Sequence, residues 1–191
     1  MKVNINHTLE EINRLFQKEG EQPYFGEEVT QYQHAGQAAL LAIEKGLKPS
    51  VQIAAFLHDI GHLMPITNPA DKMDVYGHQF HEKVAGDWMR ENGFGEEVAR
   101  LVESHVLAKR YLCSKNTDYF HGLSDASKAT FWLQGGPMLP NEIELFEELP
   151  FFQEIIQLRI LDDEAKDPEV LVPPISYFLS LCQSYLHSLS I

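Results

Sequence analysis

The sequence predicts an all-α fold. Apolar residues recur at helical spacing through most of the chain, no run of four or more residues alternates apolar and polar as a half-buried strand would, and glycine or proline stops separate the periodic stretches. Glu28 to Gly46 opens with acids that suit a helix N-terminus, carries Val29, Tyr32, Ala35, Ala39 and Ile43 at helical spacing, and closes at Gly46. Ser50 is the expected cap of the next helix, which runs from Val51 through Leu57 into His58 and Asp59 and stops at Gly61. After a loop from Met64 to Gly77, Glu82 to Asn92 and Glu96 to Lys109 are expected as an antiparallel pair joined at Gly93 to Gly95. Ser124 to Leu133 reads as a helix stopped by Gly135, Gly136 and Pro137, Asn141 to Glu148 as a short acidic one, and Phe151 to Lys166 as a largely apolar one. Ile175 to Leu189, behind Pro173 and Pro174, is the last amphipathic helix. Met1 to Gly20 lacks the apolar core of a signal peptide, and no helix is assigned there.

The chain has 191 residues, 44% of them hydrophobic, with no repeat, linker or low-complexity tract, so one domain over 1–191 is expected. Fifteen Lys and Arg face 28 Asp and Glu, a formal charge of -13 that repels phosphate backbones, and no basic cluster offsets it. Nucleic acid is a poor partner for such a chain. Apolar stretches such as Ile53 to Leu57 fall far short of the roughly 20 residues of a membrane span, so no membrane partner is expected. Cys113 and Cys182, far apart, suggest neither a disulfide scaffold nor a zinc ribbon, and a reducing cytoplasm is the simplest setting.

Buried charge is costly unless it is paired or bound to metal, so ionisable residues inside apolar helical runs are the informative ones. His58 and Asp59 end the most apolar helix, and His34 lies between Tyr32 and the stretch Ala38 to Leu40. His105 is flanked by Leu101, Val102, Val106 and Leu107, and Asp162 ends a run from Ile155, with Arg159 on the same helix face. Taken singly, each is as well explained as a hydrogen-bonded core residue. Together with His81 they place histidines and carboxylates on several helical segments that a bundle can aim inward at metal ions. Imidazole and carboxylate suit iron, manganese or zinc, and a carboxylate can bridge two ions.

These residues resemble the HD-domain superfamily: His34, then His58-Asp59-Ile60-Gly61-His62, then His81-Glu82-Lys83-Val84-Ala85, then His105 and Asp162. His81 and His105 narrow the likeness to members with a dinuclear site. Further segments are similar to the mixed-valent diiron oxygenases of that superfamily, in particular the 2-amino-1-hydroxyethylphosphonate dioxygenase (glycine-forming) family, which is related to myo-inositol oxygenase. They are Tyr24-Phe25-Gly26-Glu27, Lys109-Arg110-Tyr111-Leu112, Leu123 to Ser127, Gln134 to Met138 and Leu158-Arg159.

The resemblance implies an HD-domain helical bundle around two iron ions, a mixed-valent Fe(II)/Fe(III) pair. Asp59 would bridge them, with His34, His58 and Asp162 on one ion and His81 and His105 on the other, and His78 is the competitor for the His81 role. It also implies a small organophosphonate and O2 as partners, with the carbon-phosphorus bond broken to give glycine and phosphate. Lys109 and Arg159 would meet the phosphonate, helped by His62, Ser127, Thr130 and Gln134. Tyr24 would guard the open iron position and Glu27 would hold the substrate ammonium, while Tyr32, Tyr76 and Trp88 could instead cage a trimethylated one. Arg159 and Glu27, not being ligands, are expected to be dispensable for metal binding. His7, His121 and His187 match nothing and are expected at the surface. The rival reading is a metal-dependent HD phosphohydrolase acting on a nucleotide or other phosphate ester, which needs the same ligands. A non-catalytic HD module is a third, disfavoured because no ligand is missing.

Overall fold

The computed structural model describes residues 4–66, 72–73 and 76–190. It is helical, with no strand among the described residues, as the apolar spacing predicts. In chain order the helices are α1 (Ile5–Glu19), α2 (Gln31–Glu44), α3 (Pro49–Leu57), a 3-10 turn (Ile60–Leu63), α4 (His81–Glu91), α5 (Gly95–Lys115), α6 (Thr117–Gly122), α7 (Asp125–Leu133), α8 (Pro140–Glu147), α9 (Phe152–Glu164) and α10 (Ile175–Leu189). Part of the expected Met64 to Gly77 loop lies outside the described residues.

Local chemistry moves several boundaries. Helix α2 starts at Gln31, not Glu28, because Thr30 caps it: its hydroxyl accepts the Gln33 N–H and the Gln33 side chain accepts the Thr30 N–H. Ser50 is not a cap. Pro49 opens α3, and the Ser50 hydroxyl crosses to Glu97 on α5 at 2.6 Å. Nor does Gly61 stop a helix; it lies inside the 3-10 turn, where a Cβ would sit 2.1 Å from the His81 carbonyl oxygen. Glycine is needed there so that α4 can approach the His58-Asp59 segment.

Helix α3 is the axis of the core, buried along nearly its whole length and packed on α2, α5, α9 and α10. Two elements escaped the sequence reading. The first is α1, whose Phe16 ring stacks on Phe56 of α3 (centroids 5.0 Å apart), which in turn stacks on Phe178 of α10 (4.5 Å). The second is α6, set up by Asn116, whose side chain accepts the N–H groups of Asp118 and Tyr119. One buried apolar cluster therefore runs from Ile12 on α1 to Leu186 on α10. Cys182 lies within it and Cys113 is half-buried, both unbridged. His7, His121 and His187 are exposed as expected. Among the described residues no helix is long and apolar enough to cross a membrane.

Candidate metal centre

Five elements converge on one buried cluster: His34 from α2, His58 and Asp59 from the end of α3, His81 from the start of α4, His105 from α5 and Asp162 from α9. Each imidazole is oriented from behind through Nδ1, against a backbone carbonyl: Ala165 for His34 (2.9 Å), Ala55 for His58 (2.9 Å), His78 for His81 (3.1 Å) and Val102 for His105 (2.7 Å). With the proton held there, each Nε2 turns a bare lone pair inward.

These lone pairs meet in two groups. Nε2 of His34 and His58 are 3.0 Å apart, and those of His81 and His105 are 3.2 Å apart. Two acceptors at such distances repel unless a cation lies between them. The carboxylates complete the sets. Asp59 Oδ2 is 3.4 Å from His58 Nε2 and 3.7 Å from His34 Nε2, and Asp162 Oδ1 is 3.4 Å from His34 Nε2. The other Asp59 oxygen, Oδ1, faces His81 at 3.3 Å and His105 at 3.5 Å. One carboxylate thus presents an oxygen to each group, the arrangement that serves two ions. Nitrogen and oxygen donors of this kind fit iron, manganese or zinc.

Without metal, protons must take up the negative charge. Burial opposes charge on His58, yet Asp59 and Asp162 outweigh it and raise its pKa well above the usual value. Burial would raise the Asp59 pKa, but His58 and His81 hold it well below the ordinary range. His105 goes the other way, lowered by burial to about 3, so it stays neutral and able to coordinate.

Asp59, His62 and His81 also come within reach of one ion. His62 is nonetheless the weaker candidate, because its Nδ1 accepts the His78 N–H at 3.2 Å. That fixes the proton of the neutral ring on Nε2, making His62 a donor. Its ring stacks on His81 (centroids 3.8 Å apart) and meets the edge of Phe25. His78 supports the site through its backbone, whose carbonyl orients His81 and whose N–H orients His62.

Around the cluster, Tyr24 stacks on His34 (3.8 Å) and donates its hydroxyl to Asp59 Oδ2 at 2.9 Å. Gly26, at φ 85°, turns the entry segment so that Tyr24 and Glu27 both reach the site, closed by the Glu27 N–H to Tyr24 carbonyl bond. Arg159 is buried and grips Asp162 Oδ2 at 2.7 Å, while its other nitrogens hold Asp163 and the Tyr119 hydroxyl. A cavity of about 50 Å³ opens over the cluster, bounded by Tyr24, Glu27, His62, Lys109, Ser127, Thr130, Gln134 and Arg159 with Asp59, His81, His105 and Asp162; His34 and His58 lie behind. Lys109 donates to Thr130 Oγ1 at 2.8 Å, and burial, then Arg159, lowers its pKa to about 7. Among the described residues the buried Gln134 Oε1 has no hydrogen-bond partner, an acceptor left for a donating group.

The HD-domain family model matches residues 31–145, most of the ligand-bearing chain. The [1-hydroxy-2-(trimethylamino)ethyl]phosphonate dioxygenase (glycine-betaine-forming) of Leisingera caerulea is 36% identical over 182 residues, covering 95% of this chain and 92% of its own. The hydroxymethylphosphonate dioxygenase of Gimesia maris is 39% identical over 187 residues, covering 93% and 89%. The chain belongs to the HD-domain phosphonate dioxygenase family. An uncharacterised protein of Acanthamoeba polyphaga mimivirus is a further relative, 38% identical over 186 residues.

In this phosphonate dioxygenase family member, the sequence reading missed three residues that act through the site. Tyr119 and Asp163 complete the grip on Arg159, and Lys166 pairs with Glu27. Asp163, four residues beyond Arg159, was legible from helical spacing; Tyr119 and Lys166 carried no local signal.

Proposed function

We propose that this phosphonate dioxygenase uses two iron ions to cleave the carbon-phosphorus bond of 2-amino-1-hydroxyethylphosphonate with O2, giving glycine and phosphate. The observation that carries the reading is charge placement in a small cavity: Lys109 and Arg159 at the Asp162 side, and the Glu27 carboxylate at the entry segment. The iron pair, held by His34, His58, Asp59, His81, His105 and Asp162, would supply the redox chemistry that activates O2 and oxidises the substrate carbon.

The protein's own groups bind and orient. The Lys109 ammonium meets the phosphonate, and an anion beside it favours the charged form against burial. The Ser127 hydroxyl, the Gln134 amide N–H and the His62 Nε2–H give it neutral donors, whereas the Thr130 hydroxyl donates to the Ser127 carbonyl and accepts from Lys109, so that it orients Lys109 instead of donating to the phosphonate. Tyr24 holds Asp59 by a hydrogen bond that substrate entry can displace, and its hydroxyl stays protonated because burial, then Asp59, raises its pKa well above the ordinary value. The combination of Tyr24, Glu27 and Lys109 around the cavity favours an amine-bearing phosphonate over the nucleotide of the rival hydrolase. Of the rings considered for a trimethylammonium cage, Tyr76 lines the cavity, whereas Tyr32 bonds the Pro173 carbonyl and packs on Phe178, and Trp88 packs on Phe94.

The test is a panel of 2-amino-1-hydroxyethylphosphonate, its trimethylated analogue and hydroxymethylphosphonate. The primary amine is expected to be turned over with kcat/KM about tenfold or more above the others, the scale of one charge-assisted hydrogen bond. A faster reaction with either competitor would overturn the substrate assignment.

A further inference from the structure

Resting on this reading of the cavity, we propose that Lys166 is a specificity-determining residue that sets how strongly the Glu27 end attracts a cationic substrate group. Lys166 follows α9 in a short segment tied down on both sides. The carbonyl of Ala165 receives Nδ1 of His34, and the backbone of Asp167 exchanges two hydrogen bonds with the Gln37 side chain, at 2.9 and 3.1 Å. Between these ties, the Lys166 ammonium reaches Glu27 Oε1 at 3.2 Å and Ser127 Oγ at 3.2 Å. Both partners line the cavity, and Lys166 stands behind them.

The pair is largely withdrawn from water, with side-chain exposures of 14% for Lys166 and 15% for Glu27, so its charges interact more strongly than at an open surface. Ser124 also donates to Oε1, at 2.6 Å, while among the described residues no hydrogen bond falls on Oε2. Oε2 is therefore the atom left to receive a substrate ammonium, from a carboxylate whose charge Lys166 already offsets. The protein binds an amine-bearing phosphonate with less preference than Glu27 alone would give, and it keeps an amine-free one from facing a bare carboxylate. Lys166 thus holds the two substrate classes closer together.

The experiment measures anaerobic binding of 2-amino-1-hydroxyethylphosphonate and of hydroxymethylphosphonate to the iron-loaded protein, its Lys166→Met variant and its Lys166→Arg variant. Lys166→Met is expected to raise the affinity ratio, amine-bearing over amine-free, by roughly tenfold, and Lys166→Arg to keep the parent ratio. Lys166→Gln, which retains a donor for Ser127 without the charge, is the second variant should Lys166→Met fold poorly, and it should raise the ratio likewise. An unchanged ratio, or equal weakening of both ligands, would overturn the proposal by making Lys166 a structural strut. Failure of the parent protein to bind either phosphonate would overturn the functional reading and this inference with it, whereas parent binding with an unmoved ratio overturns the inference alone.

Discussion

Asp59→Ala is expected to lose both of the proposed metal ions together, with affinity for each falling by about a hundredfold or more, since even residues that merely orient ligands are worth about tenfold to a hundredfold. Asp59 Oδ2 faces His34 and His58, and Oδ1 faces His81 and His105. Deleting the side chain takes a negative ligand from both sets and leaves each imidazole pair without the charge that offsets two cations. Elemental analysis and anaerobic metal titration read the outcome. Loss of a single ion, with full retention of the other, would assign Asp59 to one set and contradict the shared carboxylate.

Arg159→Ala is expected to lose metal as well as substrate affinity, a reversal of what its non-ligand status suggested. Its guanidinium is buried and holds Asp162, Asp163 and the Tyr119 hydroxyl. Removing one partner of a buried ion pair costs about 3 to 5 kcal/mol, because the remaining charge is left uncompensated. Here two carboxylates are left so, and Asp162 loses the contact that aims its other oxygen at His34. Lys109→Met provides the contrast. Lys109 bonds Thr130 and touches no candidate ligand, so this variant should keep its metal while phosphonate affinity falls about tenfold to a hundredfold. A full metal complement in Arg159→Ala would show that Asp162 needs no such support.

The residues that were legible in the sequence are those whose chemistry conflicts with their surroundings. His34, His58, Asp59, His105 and Asp162 stand out because ionisable side chains interrupt apolar helical runs, His81 was chosen over His78 because Glu82-Lys83-Val84 follows it as in the family the chain resembles, and the structure brings all six together. Helix α1 was equally legible, with Ile5, Leu9, Ile12 and Phe16 at helical spacing. Ser50 misled because a good capping residue can be outcompeted: Pro49 starts the helix without it, and Glu97 from a distant helix takes its hydroxyl. Tyr119 and Lys166 were beyond local reading, since their partners lie 40 and 139 residues away in Arg159 and Glu27, contacts that only the packed bundle creates. The pairing of Arg159 with Asp162, by contrast, was local and legible, since the two lie three residues apart on one helix face.

The most direct test of the account is oxygen uptake followed alongside phosphate release, with protein purified anaerobically, loaded with iron and given 2-amino-1-hydroxyethylphosphonate. The account predicts that oxygen disappears in step with phosphate, that glycine is the other product, and that protein loaded with zinc instead is inactive. Phosphate released at the same rate without oxygen, or equally well with zinc, would contradict it and return the site to hydrolysis.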